Sequence, residues 1–343
     1  MSFKIKKVLP SPDEMVESVP LSEELKKVKK QRDLELKAVV EGRDKRFLVI
    51  IGPCSADDED AVCEYMSRLA KLFDKLKEKI FVVPRIYTNK PRTTGDGYKG
   101  MLHQPDPLSA PDMAQGIRAI RNMHVRCIKE TGLTAADEML YPDNLVYCQD
   151  LLSYIAIGAR SSENQQHRLI SSGVEIPVGV KNPMSGDLTV MFNGIQAAQN
   201  PHTFIYRNDE VETTGNPLSH AIMRGSVNHH GEDIPNYHYE DLESAVEMYT
   251  QRGFVNPMII VDTNHSNSGK KYKEQSRIAK DILYSRNHNS MIKQVVRGLM
   301  VESYLKNGRQ DVNGTYEQGR SITDPCLGWE ATEELLNYIA DNV

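Results

Sequence analysis

The stretch FLVIIGPCSADDEDAVCEYMSRLAKLFDKL, residues 47–76, holds one complete unit of the fold. Its first five residues, FLVII (47–51), are a short unbroken apolar run, the pattern of a strand covered on both faces. The polar stretch GPCSADD follows, and Asp57 or Asp58 can cap a helix there. Beyond it Val62, Tyr65, Met66, Leu69, Leu72, Phe73 and Leu76 recur at spacings of three and four, which predicts an amphipathic helix.

The unit repeats. Further apolar runs are IFVV (80–83), LTAA (133–136), YIAIG (154–158), IPVGV (176–180), TFIY (203–206), PMIIV (257–261) and VVRGLMV (295–301). Asp112 and Gly132 bracket a second clear helix, carrying Ile117, Ile120, Cys127 and Ile128. Eight runs over roughly 260 residues match a (β/α)8 barrel in count and length. A doubly wound sheet shares this periodicity and stays open as the competitor. One irregularity interrupts the pattern: TFIY and HAIM (220–223), with TTGNP between them and HHGEDIPN after, read as an inserted β-hairpin before strand 7. Residues 1–45 are polar and charged and read as a helical N-terminal extension outside the main core. The extension is either an oligomer contact or a solvated tail. Residues 46–343 form the barrel domain.

Bulk properties narrow the function. No apolar run approaches the ~18–20 residues needed to cross a bilayer. The start, MSFKIKKVLP, lacks the apolar segment of a signal peptide. Five cysteines with no CxxC pair argue against a disulfide framework and a zinc knuckle, and predict a reducing cytoplasm. The net charge is −5, yet Arg85, Lys90, Arg92, Arg160, Lys181 and Arg224 gather at strand ends or in one loop. Local cations against a global acidic balance indicate a small-anion site, phosphate or carboxylate, rather than a nucleic-acid surface.

The strand ends carry the chemistry. FLVII runs into Gly52-Pro53-Cys54-Ser55, IFVV into Arg85, LTAA into Asp137-Glu138, and HAIM into Arg224. PMIIV ends at Asp262-Thr263-Asn264-His265 and VVRGLMV at Glu302. In a barrel these ends converge on one mouth, where barrel active sites are built. Singly, Cys54 reads as a buried structural cysteine, and His265 and Glu302 as helix caps. Together, a thiolate, an imidazole and one or two carboxylates would suit a divalent transition metal.

The loop from Thr88 to Pro111 exceeds the ~12–15 residues beyond which ordered loops are usually functional. It contains G-x-G-x-x-G at Gly95, Gly97 and Gly100, but KPRTT separates this from its strand and prolines occupy the place of the following helix. The dinucleotide fingerprint fails that context, so no nucleotide cofactor is expected. His229–His230 reads as a solvent-exposed part of the inserted segment.

GPCS (52–55), KPRTT (90–94), GAR (158–160), Lys181-Asn182, MRG (223–225), DTNHSNSGK (262–270), VES (301–303) and GRSITDPCLGW (319–329) occur in that order. From Arg46 to the C-terminus the chain resembles the type I 3-deoxy-D-arabino-heptulosonate 7-phosphate (DAHP) synthases of the feedback-regulated microbial group. KPRTT and SITDPCLGW are the most specific of these motifs. The resemblance implies a transferase that condenses phosphoenolpyruvate with D-erythrose 4-phosphate and releases phosphate, the first step of the shikimate pathway to aromatic amino acids. It also implies one divalent metal of the Mn, Fe, Co or Zn class, held by Cys54, His265, Glu302 and Asp324. Phosphoenolpyruvate would be bound by Arg85, Lys90, Arg160, Lys181 and Arg224, with Glu138 nearby, and the aldose phosphate by Arg92 and Thr93. Arg85, Lys90, Glu138 and His265 are the expected catalytic group, in a cytoplasmic homodimer or homotetramer. With Cys326 two residues beyond Asp324, Cys54 and Cys326 are expected to be close enough to oxidise to a disulfide and expel the metal.

Departures from the family pattern cluster at the aldose end. GDGYKG (95–100) is one residue longer than the usual form, with Tyr98 where tryptophan is common; MRGS replaces LRGG, and SVNHHGEDIPNY is longer than expected. Two other readings therefore stand beside the main one: a secondary-metabolism paralogue using a different aldose phosphate, and a non-catalytic phosphosugar-binding sensor. MLYPDNLVY (139–147) and Glu175 also depart from the usual effector pocket, which predicts weak or absent feedback by phenylalanine or tyrosine. Inhibition assays with each amino acid check this, and micromolar inhibition by either contradicts it.

Overall fold

The computed structural model describes residues 2–92, 95–312 and 315–343. Eight parallel strands form its main sheet: β1 (Phe47–Gly52), β2 (Ile80–Pro84), β3 (Ala135–Glu138), β4 (Leu152–Ile157), β5 (Val178–Lys181), β6 (His220–Met223), β7 (Ile259–Asp262) and β8 (Val296–Glu302). Their order is β2-β1-β8-β7-β6-β5-β4-β3. A parallel bridge between Arg85 and Ala136 joins the two ends of this order, with the Ile86 N–H 2.9 Å from the Ala136 carbonyl. The sheet therefore closes on itself. This is the (β/α)8 barrel, and the doubly wound alternative falls.

Each strand is buried on both faces, which is why its sequence reads as a continuous apolar run. Along β1, Phe47, Val49 and Ile51 pack in the cluster that includes the surrounding helices, while Leu48 and Ile50 belong to a second, interior cluster with Phe81, Tyr154, Ile222, Ile260 and Met300. The helix Glu59–Leu76 begins where its sequence indicates, with the Asp58 carboxylate accepting the Ala61 N–H at 2.7 Å.

The structure corrects the sequence reading at two places. The sixth barrel strand is HAIM, not TFIY. TFIY (Thr203–Tyr206) pairs antiparallel with Asp209–Glu212 in a hairpin outside the barrel, its residues alternating between exposed and half-buried. HAIM begins with a histidine, which hid its place in the core. His220 is buried by hydrogen-bonding the Tyr154 hydroxyl at 2.8 Å and the Leu218 carbonyl at 2.8 Å. A hairpin does precede strand 7, built by Ser226–Val227 and Asp233–Ile234, with His229 and His230 exposed at its tip.

The second correction concerns the N-terminal segment, read as lying outside the core. Leu36, Val39 and Val40 of the helix Glu23–Val40 belong to the interior cluster and are fully buried. The Arg297 guanidinium donates to the Val39 and Val40 carbonyls at 3.0 and 2.9 Å, and Arg32 donates to the Val82 carbonyl at 2.6 Å. The helix thus floors the barrel at the end where the strands begin. Each such buried aliphatic side chain contributes about 1.5–3 kcal/mol. Among the described residues no helix is long and apolar enough to cross a membrane.

His124, on the helix Met113–Thr131, is buried with no hydrogen-bond partner on Nε2, and burial pushes its pKa down to about 4. The folded value is depressed, so this contribution to stability is present above the unfolded pKa of about 6.5 and is lost as pH falls toward 4. We predict that His124→Gln gains on the parent by about 1.4 kcal/mol for each pH unit between 6 and 5. Denaturant titrations at pH 5, 6 and 7 measure this, and a pH-independent difference refutes it.

Candidate active site

The strand ends open into a cavity lined by residues that follow several of the strands. At its base β2 and β8 each present one charge. The Arg85 Nη2 lies 2.6 Å from the Glu302 Oε1, and the two side chains are 1 % and 0 % exposed. Arg85 also donates to the Pro53 and Cys54 carbonyls, and its guanidinium lies 3.8 Å from the centre of the Tyr87 ring. Gly52 is required here because any Cβ would stand 2.2 Å from the Arg85 carbonyl oxygen. Glu302 is fixed further by Asn264, which donates to Oε2 at 2.5 Å, and by Gln275, which bonds both its backbone N–H and carbonyl. Burial pushes the Glu302 carboxyl up, but Arg85 and His265 outweigh it and hold the group below the usual range.

Around Glu302 stand the other expected metal ligands. One donor atom each from Cys54, Glu302 and Asp324 lies within 4.8 Å of the others. The His265 Nε2 is 3.8 Å from Glu302 Oε1. His265 has a left-handed backbone (φ 46°), which aims the ring back toward β7 and β8. The Cys54 Sγ sits 3.2 Å from the Lys90 ammonium; burial and then Glu302 push the thiol up. Asp324 meets Lys270 at 2.9 Å, and His265 and Lys270 hold its carboxyl at about 2 despite burial. The Cys54 N–H points at Cys326 Sγ (3.4 Å), so the two free thiols are neighbours. A thiolate, an imidazole nitrogen and two carboxylates fit a divalent transition metal.

Arg85, Lys90, Arg92, Arg160, Lys181 and Arg224 all line this cavity, as do Cys54, Glu138, His265 and Asp324. Arg160 is exposed, whereas Lys181 and Arg224 are buried. Arg224 is held by its N–H to Asn182 Oδ1 (2.9 Å) and its Nη1 to Ser266 Oγ (3.2 Å). The Glu138 carboxylate reaches over Gly158, where a Cβ would meet it at 2.3 Å. Thr93 lies outside the described residues. The Gly95–Gly100 stretch lies in a loop and opens no helix: Gly100 has φ 100°, and a Cβ there would stand 2.3 Å from the Thr88 carbonyl oxygen.

Sequence reasoning gave no role to three contributors. Asp262 is the hub of the mouth, 2.9 Å from the Lys181 ammonium and 2.9 Å from the His265 Nδ1. Burial pushes its carboxyl up, but His265 and Lys181 hold it well below the usual range. Its three-residue spacing from His265 was the available signal. Lys270 and Asp233 also line the cavity, the latter from the hairpin before β7; no sequence periodicity marks either.

A sequence model described as the DAHP synthetase I family matches residues 22–337. The chain is 38% identical to a phospho-2-dehydro-3-deoxyheptonate aldolase of Haemophilus influenzae, over 99% of this chain and 92% of the relative. It is 36% identical to the Trp-sensitive Escherichia coli aldolase of the same name, over 90% of this chain and 87% of that one. The solved structure of a Francisella tularensis phospho-2-dehydro-3-deoxyheptonate aldolase superposes with a TM-score of 0.92 at 30% identity, covering 100% of this chain and 98% of the other.

Removing one partner of a buried ion pair leaves the other charge uncompensated, at a cost of about 3–5 kcal/mol. Arg85→Met is therefore expected to destabilise the metal-stripped protein by about that amount, and Arg85→Met/Glu302→Gln by less. Denaturant unfolding with chelator present tests this, and a double variant as unstable as the single one contradicts it.

Proposed function

The chain belongs to the DAHP synthetase I family, and from that premise we propose that it condenses phosphoenolpyruvate with D-erythrose 4-phosphate. The products are DAHP and phosphate, making it a carbon–carbon bond-forming transferase at the entry to the shikimate pathway. The observation that carries this reading is one cavity lined by seven cations beside a thiol, imidazole and carboxylate cluster. Two anionic substrates repel each other, and a cationic mouth offsets that repulsion while fixing their orientation.

Lys90, Arg160, Lys181 and Arg224 would clamp the phosphate and carboxylate of phosphoenolpyruvate, with Arg85 behind them at the Glu302 contact. Arg92 with Thr93 would hold the aldose phosphate. Cys54, His265, Glu302 and Asp324 would hold a divalent ion, which supplies Lewis-acid polarisation of the aldehyde when bound. C3 of phosphoenolpyruvate then bonds to the aldehyde carbon, whose oxygen takes up a proton. Water adds at C2, and the C2–O bond to phosphate breaks, giving the ketone and free phosphate. The surrounding cations stabilise the charge developing on the leaving group. Asp262 keeps Lys181 and His265 in place through both steps.

A second reading, condensation with a different aldose phosphate, is favoured by the cavity rim. Val227 and Asp233 line the cavity from the segment that departs from the family pattern, and Tyr98 is tied to the Ala56 carbonyl at 3.2 Å. We also propose a cytoplasmic homodimer or homotetramer. The exposed Phe3, Ile5 and Val8 of the N-terminal stretch support self-association, and five free cysteines fit a reducing compartment. Light scattering at the 38.8 kDa of one chain would remove the oligomer.

Phosphate release and product mass, followed with phosphoenolpyruvate and a panel of aldose phosphates, test the reaction. Turnover with erythrose 4-phosphate that stops with chelator and returns with a divalent ion is expected. Preference for another aldose selects the second reading, and no chelator-sensitive turnover with any aldehyde sinks both.

A further inference from the structure

Asp137, in β3, is 4 % exposed, and among the described residues no cation stands within ion-pair distance of it. Its Oδ1 accepts the N–H of Thr88 at 3.0 Å and of Glu138 at 2.7 Å, and its Oδ2 takes the Thr88 hydroxyl in a short hydrogen bond. Thr88 stands two residues before Lys90, and Glu138 follows Asp137 directly. Lys90 and Glu138 both line the cavity, whereas Asp137 lies behind them.

The strap from Thr88 to Lys90 is pinned from its other side as well. The Lys90 N–H bonds the Lys99 carbonyl at 3.0 Å, and Gly100 packs against the Thr88 carbonyl. β2 and β3 meet through an isolated bridge at Arg85 and Ala136, while the other neighbouring strands are joined by ladders. The barrel's own hydrogen bonds are thus sparsest at the seam beyond which Lys90 and Glu138 line the cavity.

We propose that Asp137 is a positioning residue that fixes Lys90 and Glu138 relative to each other across the seam between β2 and β3. The inference rests on the reading of this cavity as a phosphoenolpyruvate site. A carboxylate buried without a cation is unfavourable for stability alone, and burial pushes this one up to about 7. Tyr87, Glu138 and Cys148 are the titratable neighbours, and none supplies a positive charge. The clamp survives protonation: the neutral acid keeps Oδ1 as acceptor for both N–H groups and donates from Oδ2 to the Thr88 oxygen. Asparagine reproduces the neutral pattern, with its amide nitrogen donating to Thr88. Alanine leaves all three donors without a partner.

Calorimetric titration of phosphoenolpyruvate into metal-loaded parent, Asp137→Ala, Asp137→Asn and Thr88→Val tests the proposal, with steady-state kinetics as a second readout. Asp137→Ala is expected to weaken phosphoenolpyruvate binding and raise its KM on the order of tenfold, leaving the aldose KM within about twofold. Asp137→Asn should restore binding to within about threefold of the parent, and Thr88→Val should weaken it in the same direction as alanine. A merely structural role would lower the melting temperature and the active fraction without moving this KM. Parent-like phosphoenolpyruvate affinity in both Asp137→Ala and Thr88→Val overturns the proposal, as does an asparagine variant as defective as alanine. Should Asp137→Ala not fold, the Asn and Val variants carry the comparison. Phosphoenolpyruvate binding without turnover on any aldose would count against the condensation reading alone.

Discussion

A guanidinium and a carboxylate meet out of reach of water where β2 and β8 end, and the mouth of the barrel is arranged around them. Neither Arg85 nor Glu302 could be buried alone, because desolvating one charge is far more costly than desolvating a well-made pair. The pairing also sets geometry. β1 runs between the two strands, with Gly52 in register with Glu302, so the chain leaving β1 passes directly over the ion pair. Its Pro53 and Cys54 carbonyls accept from Arg85, which fixes the backbone that carries the Cys54 thiol. The glycine of GPCS is a packing requirement before it is a motif.

The same logic extends around the rim as a chain of shared charges. Glu302 answers Arg85 and faces His265; Asp262 answers His265 and Lys181; Asp324 answers Lys270. Each acid is held ionised against burial by basic groups beside it: Arg85 and His265 at Glu302, His265 and Lys181 at Asp262, His265 and Lys270 at Asp324. Under the proposed reading this matters for binding: a mouth of cations without these acids would be strained by its own repulsion before any substrate arrived.

What could be read in the sequence follows from how far each interaction reaches along the chain. Burial on both strand faces leaves a local trace, so β1, β2, β4 and β8 are visible as apolar runs. HAIM escapes because His220 is made apolar in effect by Tyr154, sixty-six residues away. TFIY misleads because Phe204 and Tyr206 pack only one side of a surface hairpin. Leu36, Val39 and Val40 are masked by the lysines of their own helix, whose other face is solvated. Thiol, imidazole and cation residues at strand ends are legible because the barrel turns sequence position into spatial convergence. Asp262 and Asp137 are visible at strand ends and Lys270 within a motif, but their roles are not, since each works through a partner and has no pattern of its own.

That division also bears on where departures from the family's motifs are expected. Three of the groups proposed for phosphoenolpyruvate sit on strand ends tied into the core: Arg85 on Glu302, Lys181 on Asp262, Arg224 on Asn182. A change at any of these disturbs a buried charge or a strand. The groups proposed for the aldose stand on connections: Arg92 lies in the loop beyond Lys90, and the Ser226–Ile234 hairpin brings Asp233 to the cavity. Loops carried by a rigid scaffold accept insertion and substitution at little cost to the fold. The extra loop residue, Tyr98 and the longer hairpin all fall on this side of the cavity. Under the proposed reading, the second substrate is the part of the reaction that the barrel leaves free to change, while the ion pair beneath it would hold the first one constant.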